Sequence, residues 1–252
     1  VTEQIEAAKK RVCAKTKSGK YIAYFQSFTN TYAPVSRLEP LFTEAITHPD
    51  IVALSVATRP DCLPDDVVAL LGRLARRKPV WVELGLQTIH EKTAERIRRG
   101  YPLPVFDDAV RRLHGAGLEV IVHMILGLPG ETAEEMYETA AYIGRSGAEG
   151  VKIHLLYVAA GTALEREYRE GRYTPLTQET YRELLAGVLR RLPPEMVIHR
   201  LTGDGAKRSL VAPLWSADKH RVLNDILDYL KANSVVQGAL FSPGGQTPSG
   251  GL

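Results

Sequence analysis

Short runs of β-branched and aromatic residues alternate along this chain with stretches whose apolar positions recur every three or four residues, and after Lys20 the alternation repeats at least five times. The runs predict strands over residues 20–26 (KYIAYFQ), 51–58 (IVALSVAT), 80–87 (VWVELGLQ), 119–126 (EVIVHMIL), 151–157 (VKIHLLY) and 196–201 (MVIHRL). Helical spacing falls between them over 64–77, 91–98, 105–114 and 133–146. The last of these is opened by Thr132 with Glu135 three residues on, a capping-box pattern. Parallel neighbours need a crossover, usually a helix, so the order predicts βα units around a parallel sheet. Nearly continuous apolar strands agree, because such a sheet is covered on both faces.

The pattern leaves open whether the sheet is flat or curled. Polar residues in the later halves of the strands point to a barrel: Glu83 and Gln87, His123, Lys152 and His154 fall where barrel enzymes keep their sites. Alternation puts Glu83, Gly85 and Gln87 on one face, and His123, Ile125 and Gly127 on one face. Residues 1–12 carry Ile5, Ala8 and Val12 at helical spacing, and the first residue is Val rather than Met, so the natural protein is expected to begin earlier. Residues 242–252, mostly Gly, Ser, Pro and Thr, are expected to form a disordered tail, leaving 1–241 as one large domain.

Composition narrows the class. With 252 residues, 44% apolar and 24% charged, the chain lies within the ordinary range of globular proteins. A formal charge of +3 is too small for polyanion binding by bulk charge. The two cysteines, Cys13 and Cys62, have no CxxC partner, which excludes a disulfide framework and fits a reducing cytoplasm. Neither a run of 18 apolar residues nor a secretory signal pattern is present.

Several stretches could carry chemistry. Ile125-Leu126-Gly127-Leu128-Pro129-Gly130-Glu131-Thr132 ends a strand and enters a helix. Its glycines permit close backbone approach of a ligand, or simply build a capped βα turn. No Lys follows them, which excludes a Walker loop. Glu83 and Gln87, with Arg99 after the next helix, offer a carboxylate, an amide and a guanidinium that could hold the hydroxyls and carboxylate of one ligand; a buried ion pair and a helix-ending Arg are the plain alternative. Thr58-Arg59-Pro60-Asp61-Cys62 closes another strand, where Arg59 reaches a ligand carboxylate or pairs with Asp61. Cys62 reads as a small buried residue rather than a nucleophile. The histidines lack HxH and HExxH spacing, so no metal site is assigned. His48, His90, His114 and His220 read as solvated, whereas His123, His154 and His199 lie within strand runs. Arg73, Arg76, Arg77 and Lys78 form a basic rim or an ordinary solvated helix face.

The ordered series YFQSFTNT, ATRPDC, ELGLQT with RIRRG, ILGLPGET, KIHLLYVAAGT and HRLTGDG with LVAPLW resembles the radical S-adenosylmethionine (radical SAM) superfamily, most closely the YhcC-type family of bacterial radical SAM proteins. LGLQT and GLPGET are shared with the Elongator-type and coproporphyrinogen-oxidase-type branches, and the resemblance runs from Lys20 to about Phe241. It implies an α/β fold, a partial (β/α)6 TIM-like barrel of the radical SAM type. It also implies S-adenosyl-L-methionine (SAM) and a [4Fe–4S] cluster as cofactors, and reductive cleavage of SAM to start hydrogen abstraction from a substrate.

By the same resemblance, Gln87 and His123 hold the SAM ribose, Arg99 grips the SAM carboxylate, and Ile125 and Leu155 flank the adenine. Gln26, Thr58, Arg59, Glu83, Lys152 and His154 line the same mouth near SAM or substrate, with Gly127 at the glycine turn. Cluster ligation needs a CxxxCxxC loop, which this sequence lacks. The first barrel strand and the cluster loop are therefore expected in a missing N-terminal segment, and the 252 residues alone are expected not to cleave SAM. Implied partners are a small-molecule or RNA substrate and an electron donor such as flavodoxin or ferredoxin, with no membrane. An ordinary βα-barrel lyase or isomerase, and a non-catalytic nucleic-acid-binding scaffold, are the competing readings.

Overall fold

Strands and helices form largely where the pattern puts them. In the computed structural model, which describes residues 1–12, 18–203, 205 and 208–244, the elements begin α1 (Thr2–Val12), β1 (Tyr21–Phe25), α2 (Val35–Thr47), β2 (Ile51–Thr58), α3 (Asp65–Ala75), β3 (Val80–Gln87), α4 (Glu91–Arg96), α5 (Leu103–Gly115) and β4 (Glu119–Leu126). They continue as α6 (Ala133–Arg145), β5 (Gly150–Leu155), β6 (Val158–Ala159), α7 (Ala163–Arg169), α8 (Gln178–Arg191), β7 (Val197–Arg200), β8 (Leu210–Ala212) and α9 (Lys219–Ala232). Cys13 and residues 245–252 of the expected tail lie outside the described residues. Among the described residues no helix is long and apolar enough to cross a membrane. The chain divides into two units, residues 1–86 with 101–122, and residues 87–100 with 123–252.

In the first unit the strand order is β1-β2-β3-β4, with β1–β2 and β2–β3 parallel and the registers Tyr24 to Ser55 and Ala57 to Glu83. Leu54, Val56, Val82 and Leu84 are fully buried, as are Leu70 and Leu71 of α3 and Phe106 and Leu113 of α5. Each such side chain contributes about 1.5–3 kcal/mol by leaving water. Ile22 and Tyr24 on β1 stay exposed. The sequence pattern does not single out α2, whose buried face is Leu38, Phe42, Ala45 and Ile46. Pro34 before it and Pro40 within it look like breaks; Pro34 takes the N-cap position, whereas Pro40 is the sixth helical residue and removes one backbone hydrogen bond from a helix whose buried apolar face holds it in place. His48, expected in solvent, is buried: its Nε2 meets Glu6 Oε1 of α1 at 2.9 Å and its Nδ1 accepts from the Asp50 amide.

In the second unit the order is β4-β5-β7, with β5 and β7 parallel and Val151 opposite Ile198. Met136, Ala140 and Ile143 of α6 and Leu185 and Val188 of α8 bury their apolar stripes, as do Met124, Leu126, Val151 and Ile153 on the strands. Thr132 opens α6 as its spacing predicts. Its hydroxyl accepts from the Glu135 amide, and the Glu135 carboxylate accepts from the Thr132 amide. The short antiparallel pair β6–β8 was not foreseen, because strands of two and three residues are too brief to show a period. It closes a small core of Val158, Tyr173 and Ala212.

Candidate functional site

Polar residues of the first unit are drawn into local networks. Glu83, 2% exposed, accepts from the Tyr24 hydroxyl at 2.8 Å and the Ser55 hydroxyl at 2.5 Å, so hydroxyls from β1 and from the adjacent β2 hold its carboxylate. Tyr24 and Ser55 were not among the expected site residues. The signal available for them was register, since Tyr24 pairs with Ser55 and Ser55 with Trp81, two residues before Glu83 on the same strand, which makes them diagonal neighbours of its carboxylate. Thr58 is buried, with its hydroxyl 2.5 Å from that of Thr31, which also reaches the Cys62 carbonyl. This contact turns Thr58 into a fastener of the loop after β1. Arg59 resolves toward its second alternative, with Nε and Nη2 donating to Asp61 at 2.9 and 2.7 Å and the guanidinium over the Tyr101 ring. The pairing holds the Asp61 carboxyl below its ordinary range. Cys62 is half-buried. Burial first, and then the Asp61 charge, push its thiol up, which is the opposite of what a nucleophile needs.

Gln26 is exposed beside Ser27 and Phe28, whose φ values of +69° and +63° are left-handed. Asn30 pins that loop by donating to the carbonyls of Phe25 at 3.1 Å and Ala57 at 2.8 Å. Glu6, His48 and Asp50 bring three metal-capable atoms together, but the Lys9 ammonium already bonds Glu6 at 2.7 Å and Asp50 at 2.5 Å.

The second unit gathers the other expected residues. Half-buried His123 and His154 stack with ring centroids 5.0 Å apart, and half-buried Ile125 follows His123 on the same row of β4. Leu155 differs from expectation: it is 2% exposed and shares the row of Val151 and Ile153, opposite in parity to Lys152 and His154, so its side chain belongs to the packed face. Gly127 also differs. At φ +86° it supplies the left-handed turn, but a Cβ there would stand 2.9 Å from Leu176 Cδ1, and Tyr173 donates to its carbonyl at 3.0 Å. The close approach it permits is therefore that of the 173–176 segment. Gln87 is the last residue of β3, at a left-handed φ of +68°, and like Gly85 it is half-buried between buried neighbours.

Arg99 is buried, with Nη1 donating to the Thr88 carbonyl at 2.6 Å and Nη2 to Glu91 at 3.0 and 3.2 Å. Neither Thr88 nor Glu91 is singled out by the sequence pattern, because a contact to a backbone carbonyl and an ion pair across eight residues of turn and short helix leave no periodic trace. Among the described residues neither carboxylate oxygen of Glu131 meets a hydrogen-bond partner, although Thr88 and Thr93 lie close enough to temper its charge; burial dominates and pushes its pKa up. Of these residues the structure brings His123 and His154 together; an amide such as that of Gln87 and an imidazole can each bond hydroxyls, and an aliphatic side chain such as that of Ile125 can meet an apolar face.

A profile of the radical SAM superfamily matches residues 2–143, and one of the radical SAM C-terminal domain matches residues 148–232. The chain is 44% identical over 238 residues to the uncharacterized protein YtqA of Bacillus subtilis (strain 168), covering 94% of this chain and 74% of that protein. It is 35% identical over 228 residues to protein YhcC of Escherichia coli (strain K12), covering 90% and 74%. The structure of the archaeal Methanocaldococcus infernus Elp3 with an N-terminal deletion superposes with a TM-score of 0.78 at 20% identity, over 92% of this chain and 58% of that one. At that identity the likeness establishes the fold, a partial barrel of parallel strands.

Proposed function

The chain belongs to the radical SAM superfamily, and from that premise we propose that it holds SAM at the turn after β3 and the ends of β4 and β5, with the Gln87 amide and His123 toward the ribose and Ile125 toward the adenine. The observation that carries this reading is Gln87. A polar residue kept left-handed at a strand end, against its own preference, marks a place where the side chain is wanted. Bound and reduced, SAM supplies the hydrogen-abstracting chemistry of the superfamily. The chain's own residues bind and orient it: Gln87 offers both a donor and an acceptor, His123 and His154 offer ring nitrogens, and Ile125 excludes water beside the base.

A [4Fe–4S] cluster needs three thiolates, and the sequence contains two cysteines, one of them Cys62 beside Asp61 with its thiol pushed up. These residues do not fit the cluster. Its ligands therefore belong to residues outside these 252, and the complete enzyme takes electrons from a donor such as flavodoxin or ferredoxin in a reducing cytoplasm. The test is anaerobic reconstitution of the full-length protein with iron and sulfide, followed by dithionite and SAM. The proposal expects 5′-deoxyadenosine and methionine. A folded, iron-loaded protein that forms no 5′-deoxyadenosine above the reductant-only control overturns it.

A further inference from the structure

Gln87 sits at φ +68°, a region that L residues occupy only when neighbours over-determine it. The determining contacts fall on the next four residues. Thr88 is fully buried, its carbonyl receives Arg99 Nη1 at 2.6 Å, and its hydroxyl accepts from the His90 amide at 3.1 Å. The Ile89 amide donates to Thr139 at 3.4 Å. Glu91, the first residue of α4, receives Arg99 Nη2 on both oxygens. Arg99 is aimed back at this turn by its own backbone: Arg98 is left-handed at +56°, and the Arg99 amide bonds the Ala94 carbonyl at 2.8 Å. Its side chain is 2% exposed, whereas that of Glu91 is 50% exposed.

We infer that Arg99 is a positioning residue. By clamping the Thr88 carbonyl and the Glu91 carboxylate it fixes the left-handed Gln87, and with it the direction of the Gln87 amide. This rests on the reading of Gln87 as a SAM contact and assigns Arg99 a task other than gripping the methionyl carboxylate. A carboxylate receptor presents its fork to the ligand. This fork faces a backbone carbonyl that no ligand replaces and an internal carboxylate already paired to it.

The experiment is anaerobic equilibrium titration of the reconstituted full-length protein with two ligands, SAM and 5′-methylthioadenosine, which keeps the adenosine and the sulfur but has no carboxylate. A clamp acts on both alike. Arg99→Ala weakens both by a common factor of about tenfold, as expected for a lost charge-assisted bond. Arg99→Lys, which retains one donor for Thr88, restores part of the loss for both. Glu91→Gln, at the half-exposed end of the clamp, weakens both equally by about two- to threefold, and it decides the matter if Arg99→Ala fails to fold. Loss of SAM binding with 5′-methylthioadenosine unchanged in Arg99→Ala, or tighter SAM binding in Glu91→Gln, overturns the clamp in favour of a direct carboxylate grip. Wild-type protein that binds neither ligand removes the SAM reading itself, and the clamp with it.

Discussion

The turns after β3 and β4 solve the same problem, carrying a parallel strand into a helix, by opposite means. After β4 the chain uses residues that adopt the required conformations freely: Gly127 and Gly130, each at φ +86°, and then Thr132 and Glu135 satisfying the first amides of α6. After β3 it forces Gln87 to +68° and holds it through Arg99, Thr88 and Glu91. A glycine would make the second turn without strain. The strain of the left-handed Gln87 is on the order of 1 kcal/mol. One turn is made from glycines and a capping box; the other, on the proposed reading, trades stability for a presented amide.

The contrast can be broken at each end. The largest effect is expected at Gly127→Ala, where left-handed strain adds to a Cβ 2.9 Å from Leu176. Urea denaturation should show a loss of about 2–3 kcal/mol, and Leu176→Ala in the same chain should return the packing part alone. A loss under 0.5 kcal/mol would mean that the 173–176 segment yields easily. Thr132→Ala should cost about 1 kcal/mol by removing the cap, with Thr132→Ser nearly neutral. At the other turn, Gln87→Gly should be more stable than Gln87→Ala by about 0.5–1 kcal/mol, reversing the usual order inside a strand. The usual order would show that Gln87 is not strained.

The smallest effect joins the two turns. Glu131 leaves the β4 turn beside Thr88, with its carboxyl raised by burial. A folded pKa above the unfolded one means that stability is fullest below the ordinary value of 4.5 and is lost as pH rises through the folded pKa. Glu131→Gln, always neutral, should therefore melt slightly higher than wild type at neutral pH and equally in acid. The same offset at both pH values would place the cause elsewhere.

What was legible in the sequence follows from this difference. The mainly β-branched and apolar strand runs, the Thr132 box and the glycine turn are written in local chemistry, and the structure has them. Residues fixed by distant partners are not: Thr58 by Thr31, Glu83 by Tyr24 and Ser55, His48 by Glu6, Thr88 and Glu91 by Arg99. Strand parity predicts what the structure has at Leu155, a buried residue opposite in parity to His154; its place beside the adenine came from the family resemblance alone.

The central claim, that the strained turn is the one that meets the cofactor, is tested most directly by titrating SAM into the anaerobically reconstituted full-length Gln87→Ala variant beside wild type. The account predicts a folded protein with an unchanged cluster spectrum and SAM binding weakened about fivefold, the size of one lost neutral hydrogen bond. Unchanged SAM affinity in that folded variant would contradict it.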